Sequence, residues 1–341
     1  MPTRSIAIIG GLNMDMIYSV DRIPDVGESK DAISLVQCPG GKGANTAVAA
    51  YRASHFNPSQ KGRVARQGAS SSSAGDDIRV FMNGAVGRDA FGAQLTQQLE
   101  SNGVNTTAVR ALNGRVSGTC CVFVEKRTGE SRNIAYQGAN LEWTPLEANS
   151  VTCFLGGGNE KPDLIVLHLG IPANVVAGVL ATAAKEGVDT LLNPSPAVPL
   201  NTSTYKNLTH LVLNESEAAM LSGESLEKFQ GPAAWQKAGL YFIRLGVKNV
   251  VITLGAKGAF YATHLGEIGH VEAEKGITVV DATGAGDTFV GAYAVGYVRN
   301  KQAQGKWNIA KAVKRACKAS AMTIQHFGAQ ESIPWSDEID K

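Results

Sequence analysis

The chain has 341 residues, 44% of them hydrophobic and 18% charged, which supplies a large core and argues against wholesale disorder. With 32 Lys and Arg against 30 Asp and Glu the net charge is +2, and no basic block interrupts the sequence, so charge-driven nucleic-acid binding is excluded. Cys38, Cys120, Cys121, Cys153 and Cys317 are odd in number and lack CxxC spacing, which fits neither a disulfide framework nor a zinc site.

No apolar run reaches the roughly 18–20 residues that span a bilayer. Met1 to Ser5 leads into a strand-like segment rather than a secretory core, so the expected compartment is the cytoplasm, with the nucleus also open. Ser5–Ile9 followed by Gly10-Gly11 reads as a buried strand ending in a tight turn. Asn13 and Asp15 come straight after it, where ligands gather in open α/β sheets; the same pair serves equally as a turn that caps its own backbone. Residues 16–38 alternate apolar and polar around Pro24-Asp25-Val26-Gly27, the pattern of an antiparallel hairpin.

Gly40-Gly41-Lys42-Gly43-Ala44-Asn45 is a glycine turn that opens an alanine-rich helix with one lysine in it, and its spacing is not that of a Walker A loop. Residues 55–77, with Ser70-Ser71-Ser72-Ser73, read as a flexible surface insertion. A strand and turn over Val80–Gly87 and a helix over Phe91–Asn102 follow. Gly118–Glu125 and Arg132–Tyr136 form a second hairpin, which with the first makes a small sheet or lid over about 14–38 and 116–137.

Beyond Lys161 strands and helices alternate: strand Asp163–Leu169, helix Ala173–Glu186, strand Asp189–Leu192, strand His210–Leu213, helix Glu215–Leu221, helix Ala233–Leu245 and strand Val250–Leu254. This is the pattern of a mostly parallel sheet covered on both faces, in one α/β domain over 1–341. The apolar Val279-Val280 leads into Asp281-Ala282-Thr283-Gly284-Ala285-Gly286-Asp287, then a helix from Thr288, and a last helix spans roughly Trp307–Gln325. Two glycines ahead of a helix form an anion cradle, and an acid beside them points to phosphoryl transfer.

Gly40–Asn45 and Asp281–Phe289, with Asn214-Glu215-Ser216-Glu217 between them, are similar to the signatures of the PfkB family of carbohydrate kinases, in its ribokinase branch, over nearly the whole chain. The resemblance implies a ribokinase-like three-layer fold with a β-sheet lid, and ATP-dependent phosphorylation of D-ribose at its 5-hydroxyl. It implies Asp287 as catalytic base and Gly284, Ala285 and Gly286 as anion hole. Asn13, Met14, Asp15, Gly41, Lys42, Gly43, Ala44 and Asn45 fall at its sugar-binding positions. Its nucleotide positions match Asn214, Thr253, Leu254, Gly255, Ala256, Lys257, Gly258, Gly286, Asp287 and Cys317. Glu217 is implied for magnesium, through water. Asp281, Thr283, Thr323, His326, Gly328 and Ser332 are implied for an activating potassium ion, His326 by backbone with its side chain an ordinary surface imidazole. Homodimerisation through the lid is the family's habit.

Gly170 departs from the pattern, standing where ribokinases carry a sugar-contacting glutamate. Losing that charge-assisted bond, worth about 1.5–3 kcal/mol, opens the alternatives of another sugar, a nucleoside or pseudouridine. His168, two residues earlier on the same strand face, offers a substitute if no bulge intervenes. A non-catalytic sugar- or nucleotide-binding protein is the third alternative, against which the complete Asp287 loop argues.

Overall fold

The computed structural model describes residues 4–60, 78–127, 131–146, 149–156, 159–301 and 307–341. Residues 61–77 of the expected insertion lie outside them, as do the lid-turn residues 128–130.

Among the described residues the main sheet has the order β13-β12-β11-β10-β9-β8-β1-β4-β5. Its strands are β1 (Arg4–Ile9), β4 (Ile78–Gly87), β5 (Asn105–Leu112), β8 (Leu164–His168), β9 (Asp189–Asn193), β10 (His210–Asn214), β11 (Asn249–Thr253), β12 (Ala259–Thr263) and β13 (Ile268–Val271). All neighbours pair parallel except β11–β12 and β12–β13, an antiparallel edge that the alternating pattern did not reveal. The central strands are continuous apolar runs because both faces are covered. In β8, Leu164 and Val166 enter one core, whereas Ile165 and Leu167 enter the core on the opposite face.

The first core is closed by α1 (Lys42–Ser54), α7 (Ala285–Lys301) and α8 (Ile309–Thr323), with α2 (Ala90–Ser101) beside them. The other face is covered by α3 (Ala173–Glu186), the short α4 (Thr202–Tyr205), α5 (Glu215–Ser222) and α6 (Gly231–Arg244). A last turn, α9 (Ser336–Ile339), packs on α1 through the backbone bond from Ser336 N to the His55 carbonyl.

The lid is a separate sheet of order β3-β2-β6-β7, built from β2 (Asn13–Val20), β3 (Ser34–Gly40), β6 (Gly118–Glu125) and β7 (Ser131–Tyr136). Its two antiparallel hairpin pairs are joined by a parallel contact between β2 and β6. Asn13 and Asp15 therefore stand on a lid strand rather than in a turn. Val279 and Val280 form no strand and are exposed; the Val280 and Asp281 amides both donate to the Ile324 carbonyl.

Helices α1 and α7 meet through small residues. A Cβ at Gly291 of α7 would lie 2.6 Å from Ala49 Cβ and 2.7 Å from Ala50 N of α1. Alanine favours helix over glycine by about 1 kcal/mol, but here overpacking costs about 1–3 kcal/mol and prevails. Gly291→Ala is thus expected to lower the urea midpoint of unfolding; an unchanged or higher midpoint would show that the two helices are free to separate.

Candidate active site

The N-termini of α1 and α7 converge below the lid. At the first, the chain turns back on itself at Gly41 (φ 90°), where a Cβ would lie 2.7 Å from Asn13 N and from the Gly11 carbonyl. Gly43 lies equally close to Gly10. At the second, Gly284 (φ 79°) turns the chain into α7, which begins at Ala285, three residues earlier than expected. Asp287 consequently sits inside the first helical turn.

The Asp287 side chain is buried, and its Oδ2 accepts a 2.9 Å bond from Asn45 Nδ2. Burial raises its pKa, against the opposing pull of the Lys42 ammonium and the Asn45 amide. Asp15 projects from β2 toward the same space. Burial first, then the charge of Asp287, push its pKa up to about 7, and Lys42 acts in the other direction. Its carboxylate lies over Gly40, where a Cβ would be 2.1 Å from Oδ2. Cys38 and Cys120 flank Asp15 in register on either side, and burial followed by the Asp15 charge pushes both thiols up to about 11.

Asn13 is held by a residue without a sequence motif: Asn140 donates from Nδ2 to Asn13 Oδ1 at 2.9 Å and to the Leu12 carbonyl, while its own Oδ1 accepts from Leu12 N. Met14 points the other way and is packed in the core, as a strand requires, and Ala44 is also buried there. His168 cannot stand in for the missing glutamate. It is fully buried, its Nδ1 lies 3.1 Å from Asn193 Oδ1, and burial lowers its pKa to about 3, so the ring is neutral. A Cβ at Gly170 would lie 3.3 Å from Gly11 N, over the turn that leads into β2 and Asn13.

Of the three amides expected in the anion cradle, Gly284, Ala285 and Gly286, only that of Ala285 meets a backbone acceptor among the described residues. Ala285 N donates to the Ala282 carbonyl at 3.3 Å and Thr288 N to Gly284 at 2.8 Å. That leaves Gly286 and Asp287 as first-turn amides with no backbone acceptor among the described residues. Gly286 faces open space. A cavity of about 490 Å³ begins there, lined by Thr253, Gly255, Ala256, Gly258, Ala285, Gly286 and Cys317 from the expected set. Phe289 of the Asp281–Phe289 stretch also lines it, together with Ala273, Glu274, Ile277, Ser320 and Ile324, which carry no sequence signal. Leu254 is packed in the core, and Lys257 Nζ turns away to Glu215 Oε1 at 3.0 Å, so neither side chain lines the cavity. Its dimensions and predominantly apolar wall fit an adenine, with the free amides at the phosphate end.

Asn214 and Glu217 first of all cap α5: Asn214 Oδ1 accepts from Glu217 N at 2.8 Å, and Glu217 Oε2 accepts from Asn214 N at 2.9 Å. One carboxylate oxygen of Glu217 remains. Among the described residues no three His, Cys, Asp or Glu side chains gather as a metal cage, which fits magnesium held mainly by phosphates and water.

Asp281 staples two loops together, its Oδ1 accepting from Thr283 N at 2.9 Å and its Oδ2 from Gly328 N at 3.1 Å. Ser332 Oγ donates to the Gly328 carbonyl at 2.5 Å. The Thr323 hydroxyl instead points inward to Thr288 Oγ1 and the Ala319 carbonyl, and the His326 side chain is exposed. The structure thus brings Asp281, Thr283, Gly328 and Ser332 together and leaves the Thr323 and His326 side chains outside that group.

The family model described as pfkB family carbohydrate kinase matches residues 3–336. A ribokinase of Schizosaccharomyces pombe is 35% identical, over 98% of this chain and 96% of its own. A ribokinase of Bacillus subtilis is 31% identical, over 99% of each chain. Among solved structures, Arabidopsis thaliana ribokinase complexed with ribose and ATP superposes with a TM-score of 0.79 at 24% identity, covering 99% of this chain and 98% of that one.

Because Asp15 ionises near pH 7 in the folded chain and near 3.8 when unfolded, the folded state holds more protons between those values. Stability of the ligand-free protein is expected to fall as pH rises from about 4 to 7 and then level off, with buried Asp287 adding in the same direction. Asp15→Asn is expected to raise the thermal midpoint at pH 8 more than at pH 4; equal changes at both values would show that Asp15 is not desolvated.

Proposed function

The chain belongs to the pfkB family of carbohydrate kinases, phosphotransferases, and we propose that within it this enzyme transfers the γ-phosphoryl group of ATP to the 5-hydroxyl of D-ribose. The observation that carries this reading is a pair of carboxylates, Asp287 buried and Asp15 half-buried, close enough for the charge of one to act on the other and both acted on by Lys42. Asp287 stands at the free amides of α7, and Asp15 stands opposite on the lid strand.

Asp15 in its ionised form accepts hydrogen bonds from two vicinal hydroxyls of the sugar, while Lys42, Asn13 and Asn45 complete the polar set. Asp287 accepts the proton of the primary hydroxyl as that oxygen attacks phosphorus, and burial, which raises its pKa, makes it a stronger base than an exposed carboxylate. The Gly286 and Asp287 amides receive the equatorial oxygens of the transferring group, helped by the positive end of α7. Magnesium, when bound, neutralises polyphosphate charge, and the free oxygen of Glu217 orients one of its waters. A monovalent cation such as potassium belongs between the loops of Asp281 and Gly328–Ser332, satisfied by carbonyls rather than by the already engaged Asp281 oxygens. As part of the same proposal, the exposed Leu35, Val36, Ile134 and Tyr136 on the lid form a homodimer contact, and the enzyme is cytoplasmic.

A second reading, phosphorylation of another sugar or a nucleoside, is favoured by Gly170 alone. An ATP-consumption assay over D-ribose, 2-deoxyribose, other pentoses and nucleosides separates the two: the highest kcat/KM is expected with ribose. Asp287→Asn is expected to lower kcat by about 10²–10⁴-fold, and near wild-type turnover in that variant would sink the mechanism. The ribose KM is expected to fall as pH rises through about 7 and the Asp15 carboxylate forms; a KM that is flat with pH in the wild type would remove Asp15 from sugar binding.

A further inference from the structure

Asp287 is the near end of a buried chain of side chains. Asn45 Nδ2 donates to Asp287 Oδ2 at 2.9 Å, and Gln330 Nε2 donates to Asn45 Oδ1 at 3.1 Å. All three residues are less than a tenth exposed. A carboxamide has a donor end and an acceptor end of nearly the same shape, so Asn45 could present either one to Asp287. Nδ2 toward the carboxylate favours the ionised acid; Oδ1 toward it favours the protonated one.

Gln330 selects between them. Its donor occupies Asn45 Oδ1, which leaves Nδ2 as the only end that can face the carboxylate. Gln330 Oε1 is buried without a partner, and an orphaned acceptor of this kind costs about 1–3 kcal/mol. Turning the Gln330 amide over would set its oxygen against Asn45 Oδ1, so the orphan persists because the donor is needed on the other side.

The backbone of Gln330 is clamped from α1. Arg52 Nη1 donates to the Gln330 and Ile333 carbonyls, both at 2.8 Å, while Arg52 Nε and Nη2 hold Asn102 Oδ1. Arg52 lies seven residues after Asn45, two turns along the same helix face, so one helix carries the middle of the chain and clamps its far end. The loop that carries Gln330 also abuts the anion turn: a Cβ at Gly284 would lie 2.9 Å from the Ala329 carbonyl.

We propose that Gln330 is a positioning residue, which orients the Asn45 amide so that it donates to Asp287 and keeps that acid in its basic form. The inference rests on the reading of Asp287 as the base of a sugar kinase. Gln330 touches neither the reacting atoms nor the sugar; it acts through Asn45.

The test is the pH dependence of kcat with ribose and ATP for Gln330→Met, Gln330→Glu and Gln330→His, each also in an Asn45→Ala background, alongside unfolding midpoints. Gln330→Met, of similar length but with no donor, is expected to lower kcat about tenfold, as losing support to a charged acceptor does, with the ribose KM within about twofold. Its acidic limb is expected to move up by about one pH unit. Gln330→Glu offers Asn45 an acceptor, reverses the amide and shifts the limb further. Gln330→His, whose Nε2–H has about the reach of the glutamine amide, restores both. In Asn45→Ala none of the three has a further effect.

An unshifted limb in Gln330→Met overturns the inference, as does an equal loss with and without Asn45, which would make Gln330 merely structural. If Gln330→Met does not fold, identical profiles for the His and Glu variants overturn it. A wild-type chain that phosphorylates no sugar fails the functional reading and takes this inference with it, whereas an active wild type with unmoved variants fails the inference alone.

Discussion

The close approach of α1 to α7 is the constraint on which the rest of the site depends. Gly291 against Ala49 and Ala50 leaves no room for a side chain between these backbones, and Gly43 against Gly10 presses the start of α1 equally closely on the turn after β1. Only at this separation can the short Asn45 side chain of one helix reach Asp287 of the other. Two helix N-termini aimed at one place repel each other through their positive ends, and that repulsion is relieved by negative charge placed between them. Asp287, Asp15 and an incoming phosphate supply it. The glycines and alanines are thus an electrostatic device as well as a packing one.

The same convergence explains why the two carboxylates titrate upward. Each loses water on burial, Asp15 also feels the charge of Asp287, and Lys42 is the cation that partly offsets both. A site in which both acids were comfortably ionised without ligand would gain little from binding hydroxyls or phosphate. Here the folded protein carries an unmet demand for hydrogen-bond donors at Asp15, and a polyol meets it. Gly40 is necessary for this arrangement, since any side chain there would occupy the position of the Asp15 carboxylate.

What could be read from the sequence was what is local. The glycine turns at 40–43 and 284–286 and the strand–helix alternation after Lys161 depend on neighbours a few residues apart, and the structure has each of them. Asn140 and Gln330 were invisible because their partners are 127 and 285 residues away, and a single Asn or Gln carries no period or spacing to reveal it. Asp15 stayed open between a ligand contact and a turn at the start of the expected lid, because Asn-x-Asp after Gly-Gly is good turn chemistry; pairing with both β3 and β6 puts it on a strand. Val279-Val280, for all its apolar composition, joins no strand and lies exposed. The His168 expectation failed on burial, since the side chain that shares a face with position 170 is sealed against Asn193.

Asn13 and Asp15 lie on β2, the inner strand of the lid, bonded on one side to β3 and on the other to β6. A strand is nearly inextensible along its axis, and its register with two neighbours resists sliding. The lid therefore has no latch separate from its ligand contacts: the residues that grip are links in the moving part itself. Val20 at the far end of the strand and Glu125, its register partner on β6, are both buried, so the strand that carries Asn13 and Asp15 is anchored at the end away from the site as well.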